Sequence, residues 1–299
     1  MKTSRRSFLK GSTAALASLP TLSHALSRQP QRRELTGLQL YSVRDDMKRD
    51  ALGTLKQLAA FGYQHVEHAN YVDRKFYGWG AREFRKILDD LGLTMPSGHT
   101  VLGNQHWDEA KKEFTDSWKQ TVEDAAILGQ QFVISPSMTS DYRKSQSDLK
   151  RLMEIFNKSG ELCRKSGMKF GYHNHDFEFS ETLDGITVYD LIMNNTDPAL
   201  VIQQLDTGNL YNGGANAMAV AKKYPGRFSS MHVKDEIQTA PGKFESTILG
   251  KGIVPVKDLI DLGRKSGTLH FIVEQEAYQG RPPLDCVKED LAIMRRWGY

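Results

Sequence analysis

From residue 37 onward the chain alternates short apolar runs with longer stretches in which apolar residues recur at three- and four-residue steps. The runs are Gly37–Val43, Gln64–His68, Leu93–Gly98, Gln131–Ser135, Lys169–His173, Leu200–Asp206, Phe228–Val233 and His270–Glu274. Between the fourth and fifth, Leu149, Leu152, Ile155, Phe156, Leu162 and Cys163 form one stripe, with Asp148 placed to cap its start and Gly167 just past its end. That spacing predicts an amphipathic helix. Leu52, Leu55, Leu58 and Ala59 repeat the device before Gly62. Eight strand–helix units in about 260 residues are the size of a closed (β/α)8 barrel, and no Pro/Gly/Ser-rich linker divides them, so a single α/β domain is expected. A doubly wound open sheet uses the same alternation, but no Gly-x-Gly-x-x-Gly follows a strand here. Gly250-Lys251-Gly252 is long enough only for a turn.

Composition narrows the classes. With 39% hydrophobic and 25% charged residues the chain is globular, and no run nears the roughly 20 apolar residues of a spanning helix, so stable membrane insertion is not expected. The formal charge of +4 suggests an acidic partner until its location is seen. Residues 1–25 hold Lys2, Arg5, Arg6 and Lys10 and no acid; without them 36 basic residues face 36 acidic ones. A neutral remainder removes the electrostatic argument for nucleic acid. The same segment, Ser4-Arg5-Arg6-Ser7-Phe8-Leu9-Lys10, a mild apolar run from Ala14 to Leu22, then Ser23-His24-Ala25, resembles a twin-arginine export signal. The expected organisation is a signal over 1–25, a linker over 26–36 and the barrel over 37–299, with the mature protein in the periplasm. Cys163 and Cys286 are too few for a disulfide framework, and Cys163 is expected buried and free.

In a parallel barrel the active site is assembled at the carboxyl ends of the strands. Here the second run ends in Glu67-His68, the third in Gly98-His99, and the fifth in His173-Asn174-His175-Asp176-Phe177-Glu178. The sixth ends in Asp206, the seventh in His232-Val233-Lys234-Asp235 and the eighth in Glu274-Gln275-Glu276. Each alone is more often a hydrogen-bonded structural group. Converging in one cavity, the like charges would repel, and a divalent cation resolves that conflict. Carboxylates with an imidazole suit Mn²⁺ first, then Co²⁺, Mg²⁺ or Zn²⁺.

These strand ends resemble those of the xylose-isomerase-like barrel superfamily of sugar isomerases and epimerases, in particular the branch of inosose dehydratase and the 3-keto-glycoside lyases. The resemblance runs through Gly37-Leu38-Gln39-Leu40-Tyr41-Ser42-Val43-Arg44, Gly62-Tyr63-Gln64-His65-Val66-Glu67, Ser97-Gly98-His99 and Tyr172-His173-Asn174-His175-Asp176-Phe177-Glu178-Phe179. It continues through Leu205-Asp206-Thr207-Gly208-Asn209, Met231-His232-Val233-Lys234-Asp235, Leu249-Gly250-Lys251-Gly252 and Ile272-Val273-Glu274-Gln275-Glu276. It implies one divalent metal on Asp206, His232 and Glu274. The fourth ligand is assigned to Glu178, with His175 in reserve, because the strand-five glutamate of the epimerases is missing. The three-zinc apurinic-site endonucleases of the superfamily are not matched: Asn209 stands where they have histidine, and Glu245-Ser246-Thr247 replaces their Asp-Arg-His.

The expected chemistry is proton abstraction beside a metal-held carbonyl of a sugar or keto-sugar, giving an enediolate. His175 or His173 is the expected base, Glu276 the carboxylate alternative, and Lys234 a donor to the carbonyl or departing oxygen. Glu67, His99, Tyr41, Trp107 and Asn209 are assigned to substrate binding, with Phe76, Tyr77, Trp79 and Trp107 as a stacking wall. An isomerase or epimerase is the first expectation. A keto-sugar lyase or dehydratase working by β-elimination is the alternative, and a non-catalytic periplasmic sugar-binding barrel the alternative of another class. The partner is a small sugar or glycoside; a homo-oligomer is left open.

Overall fold

A computed structural model describes residues 35–299. The expected export signal and the linker up to residue 34 lie outside the described residues. Eight parallel strands close a barrel in sequential order: β1 Leu35–Gln39, β2 His65–His68, β3 Thr94–His99, β4 Phe132–Ser135, β5 Lys169–His173, β6 Val201–Asp206, β7 Phe228–Val233 and β8 His270–Val273. Leu38 of β1 pairs with Val66 on one side and Val273 on the other, which is the seam. Eight principal helices cover the outside: α1 Arg44–Phe61, α2 Ala81–Asp90, α3 Asp116–Leu128, α4 Gln146–Lys165, α5 Val188–Asn195, α6 Ala217–Lys223, α7 Val256–Lys265 and α8 Pro283–Trp297.

The first run differs from its expected span. β1 starts at Leu35, which pairs with His270, and stops at Gln39, whose side chain accepts the Tyr41 N–H at 3.1 Å and turns Leu40–Val43 into a 3-10 helix. Helix α1 is correspondingly longer than its apolar stripe. Asp50 leaves helical geometry (φ −155°, ψ 86°), and its carboxylate accepts the Gly53 N–H at 2.9 Å. The second segment, from there to Phe61, is the one the periodicity revealed. Asp148 does not cap α4. Ser145 does, accepting the Asp148 N–H at 3.1 Å, while Asp148 sits in the first turn and accepts the Ser145 hydroxyl at 2.6 Å. Cys163 and Cys286 are buried free thiols.

Strand periodicity decides what the barrel encloses, since alternate residues face opposite sides. Phe170, Tyr172, Val201, Leu205, Met231, Val233, Phe271 and Val273 face outward and form, with the helices, the apolar layers. Phe132, Ile134 and Ile202 cluster separately inside the barrel. Gly171 leaves them room: a Cβ there would lie 3.0 Å from both Ile134 and Ile202. Above this plug the enclosed residues turn polar, through Gln39, Glu67, Ser97, Gln204 and Ser230, and end in ionisable groups at the carboxyl rim. Hairpins after β2, β3 and β7 surround that rim.

Candidate active site

Glu67 is fully buried at the centre of the barrel and serves as an anchor. It accepts hydrogen bonds from Gln39 Nε2 at 2.8 Å, Gln204 Nε2 at 3.0 Å and the Ser97 hydroxyl. His232 Nε2 lies 2.6 Å and His99 Nε2 3.2 Å from the same oxygen, Oε1. Burial by itself would raise the Glu67 carboxyl, but the neighbouring His99 and His232 charges and the hydrogen bonds hold it well below the carboxylate range.

With Nε2 held by Glu67, His232 turns Nδ1 toward Glu274 Oε2 at 3.1 Å and Asp206 Oδ2 at 3.8 Å. His173 completes the group, its Nε2 3.8 Å from Asp206 Oδ2. One ligand atom from each of His173, Asp206, His232 and Glu274 falls within 4.8 Å of all the others, and all four residues are buried. Asp206 Oδ1 accepts the Gly208 and Asn209 N–H groups at 2.8 and 2.7 Å, which leaves Oδ2 buried with no hydrogen-bond partner. This oxygen, free of hydrogen bonds, faces two imidazoles, a second carboxylate and, at 3.5 Å, the Lys234 ammonium, and the two carboxylates with the imidazoles fit a divalent cation.

Gln204 was not singled out from the sequence, yet it orients two imidazoles. Its amide nitrogen faces the acceptor-only Glu67 carboxylate and the Ser230 hydroxyl at 2.9 Å, so its oxygen faces His99 Nε2 at 2.7 Å and His173 Nδ1 at 3.0 Å. Both ring nitrogens therefore donate, and His173 keeps its Nε2 lone pair toward Asp206. Burial, reinforced by neighbouring histidines, pushes the His173 imidazolium well down, so the ring is neutral. Ordinary-looking polar residues inside strands carry no chemical motif; strict alternation within β6, which places Gln204 on the same face as Asp206, was the available signal.

Two expected ligands fall elsewhere. Glu178 is buried behind the strand, where it accepts the Tyr172 hydroxyl and the His175 N–H at 2.9 Å, and burial raises its carboxyl to about 7. The one-turn helix Phe177–Ser180 carries it away from the four-residue group. His175 lines the cavity beside that group, its Nδ1 buried without a partner. Burial, then the nearby Lys234 ammonium, lowers its imidazolium pKa.

Lys234 Nζ donates to Asn209 Oδ1 at 2.9 Å, Glu274 Oε2 at 3.1 Å and Glu276, with Asp206 Oδ2 at 3.5 Å. Burial opposes its charge, but these carboxylates hold the ammonium well above its usual range. Its sequence neighbour Asp235 is engaged in another way. That carboxylate accepts the N–H groups of Glu236, Gly250, Gly252 and Val254 at 2.8 to 3.0 Å, wrapping the Gly250-Lys251-Gly252 turn around itself.

The cluster opens into a cavity of about 820 Å³ lined by Tyr41, His99, His173, His175, Asn209, Glu274 and Glu276 among others. Trp107 is not among its lining residues. It packs edge-on against Phe114 in a short hairpin and donates its indole N–H to Glu109 at 2.8 Å. Phe76 and Trp79 stack on Phe84 of α2, and the Tyr77 hydroxyl accepts the Ala69 N–H at 3.0 Å. The expected stacking wall is a packing cap because the hairpin after β2 folds its aromatics onto the helix.

Family comparison matches residues 55–297 to the xylose isomerase-like TIM barrel. The chain belongs to that family. Within it, the chain is similar to the inosose dehydratase of Clostridium beijerinckii, 28% identical over 192 residues that cover 60% of this chain and 62% of that protein. It thus spans less than two thirds of that relative's length. Among solved structures it resembles a sugar phosphate isomerase/epimerase from Parabacteroides distasonis, with a TM-score of 0.77, 27% identity, and 91% and 97% of the two chains covered. A structure of the IOLI protein with a bound zinc atom shares the fold at TM-score 0.64 and 13% identity, covering 88% of this chain and 96% of that one.

Proposed function

We propose that this xylose isomerase-like barrel is a divalent-metal-dependent enzyme that abstracts a proton beside the carbonyl of a keto-sugar and completes the reaction by β-elimination. The observation that carries the reading is the buried group His173, Asp206, His232 and Glu274, with Asp206 Oδ2 unpartnered, facing a cavity. Those four residues would hold the cation, which when bound polarises the carbonyl and stabilises the negative charge left by deprotonation.

The protein's own groups divide the rest. Neutral His175, at the cavity wall, removes the proton from the carbon next to the carbonyl. The electron pair forms a carbon–carbon double bond as the β carbon–oxygen bond breaks, and the Lys234 ammonium supplies a proton to the departing oxygen. To reset the site, His175 releases its proton to solvent and Lys234 regains one from solvent through Glu276, which is ion-paired to it and partly exposed. Elimination is preferred over epimerisation for two reasons. The strand-five glutamate that would serve as the second, opposing carboxylate is absent, and the similar curated proteins carry the name of a dehydratase. The resemblance of the Arg5-Arg6 segment to an export signal supports a periplasmic location for the mature enzyme on this reading.

The test incubates metal-loaded protein with an inosose and with methyl 3-keto-β-D-glucoside in D₂O. Loss of water or methanol, reduced by about 10²- to 10⁴-fold in His175→Ala, is the expected result. Deuterium incorporation without elimination would assign the enzyme to the epimerases instead, and binding with neither would leave a sugar-binding barrel.

A further inference from the structure

The strand-end cavity is walled on one side by the hairpin after β2, whose tip, from Tyr71 to Arg74, lines it together with His173 and Glu274. The foot of this hairpin is fixed, with Phe76 and Trp79 stacked on Phe84 of α2. Its tip projects instead: Val72, Asp73, Arg74 and Lys75 are exposed. Two tight turns join the three short strands. Tyr71–Val72 passes to Lys75–Phe76 through Asp73-Arg74, and Phe76 returns to Trp79 through Tyr77-Gly78. All four turn residues have positive φ, 50° and 59° in the first turn, 50° and 97° in the second. Two-residue hairpin turns of this kind need the left-handed region at both positions, which is why Asn-Gly is their preferred sequence. The second turn meets that need with Gly78. The first has an arginine at the equivalent place, where the Cβ crowds the following carbonyl and the backbone is strained.

What the arginine supplies is reach. Its guanidinium extends from the tip to α3 and donates to Asp124 from Nε at 3.0 Å and Nη2 at 2.8 Å, and the Tyr71 hydroxyl donates to the same carboxylate at 2.6 Å. With both partners in place Asp124 is only 3% exposed. Lifting the tip would hand Asp124 to water and release the backbone strain at Asp73 and Arg74. Two opposed tendencies therefore meet at one carboxylate: the strained turn favours release, and the forked, charge-assisted contact favours closure.

We infer that the tip from Tyr71 to Lys75 is a movable wall of the strand-end cavity and that Asp124 is the latch that holds it shut. Asp124 does not itself line the cavity; it is a positioning residue that acts through the hairpin. Release of the tip admits ligands to the buried group His173, Asp206, His232 and Glu274, and closure shuts water out while that group is occupied.

Hydrogen–deuterium exchange and metal stripping on the full chain test this with Asp124→Asn and Arg74→Lys. Asp124→Asn should speed exchange over residues 70–80 by at least about tenfold, and Arg74→Lys, which keeps the charge but loses the fork, by a smaller factor, with exchange across α3 unchanged in both. In protein loaded with Zn²⁺, EDTA should strip the metal from Asp124→Asn faster by about the same factor while the Zn²⁺ affinity stays that of the parent, because a gate changes access and leaves the ligands alone. Unchanged exchange over residues 70–80 would overturn the latch. So would acceleration that spreads through α3, which would make Asp124 a structural residue of its own helix. Faster exchange with unchanged stripping would overturn the movable wall. The stripping measurement rests on the metal reading above; a parent that binds no Zn²⁺ would refute that reading, and the exchange rates would still decide the latch.

Discussion

Asp206 Oδ2 and His173 Nε2 point at one another across 3.8 Å, and neither has a hydrogen bond there. Lys234 Nζ, 3.5 Å from the same oxygen, supplies part of the counter-charge, and a divalent cation held among the four groups would supply the rest. His173→Ala should therefore lower bound divalent metal well below one equivalent. Glu178→Gln should leave metal content unchanged, because Glu178 is bonded to Tyr172 and the His175 backbone; elemental mass spectrometry of the two variants decides between them. A carboxyl raised to about 7 favours the fold while protonated, and that stability is lost as pH rises from the ordinary glutamate value through about 7. Glu178→Gln should accordingly raise the urea midpoint at pH 8 relative to the parent and lose that advantage at pH 5. Gln204 acts through the imidazoles it orients. Gln204→Ala should weaken metal binding by about 10- to 100-fold, with ¹⁵N ring shifts reporting a changed tautomer at His173.

At the scale of the element, local signals and tertiary demands can be separated. The α4 stripe was legible because period, length and Gly167 agree, whereas its cap was not, since Asp148 and Ser145 are both good capping residues three positions apart. Ser145→Ala should cost about 1 kcal/mol in denaturant unfolding and leave metal content untouched. The hairpin after β7 is more tightly constrained. A Cβ on Gly252 would lie 2.2 Å from Asp235 Oδ1 and 2.3 Å from the Glu236 carbonyl oxygen, so the turn has no room for one. The Gly-x-Gly pair was visible as a turn; its role in enclosing Asp235 was not, because residues 235 and 252 meet only once the hairpin closes.

Across the whole molecule, the barrel interior changes from apolar plug to buried polar network, and that network carries a pH liability. His270, inside the barrel next to Phe132, has burial push its imidazolium down to about 4, with Nδ1 unpartnered. Its folded pKa lies below the unfolded value, so stability is complete above about 6.5 and falls as pH drops toward 4, by up to about 1.4 kcal/mol per pH unit. His270→Gln should flatten that slope in urea titrations between pH 7 and 4; an unchanged slope would place the liability elsewhere. Eight alternating runs were enough to announce the barrel, because each strand and helix advertises its own period and a closed parallel sheet is what that many units build. The strand-end rule likewise brought Asp206, His232, Glu274, Lys234 and Asn209 to one end. Their local positions follow from strand periodicity, which the sequence contains. The placement of His173, and not Glu178, beside Asp206, the part played by Gln204, and the removal of Trp107 from the cavity depended on closure. Which atoms meet across a barrel is set by the register and rotation of strands far apart in sequence, and no local pattern encodes that.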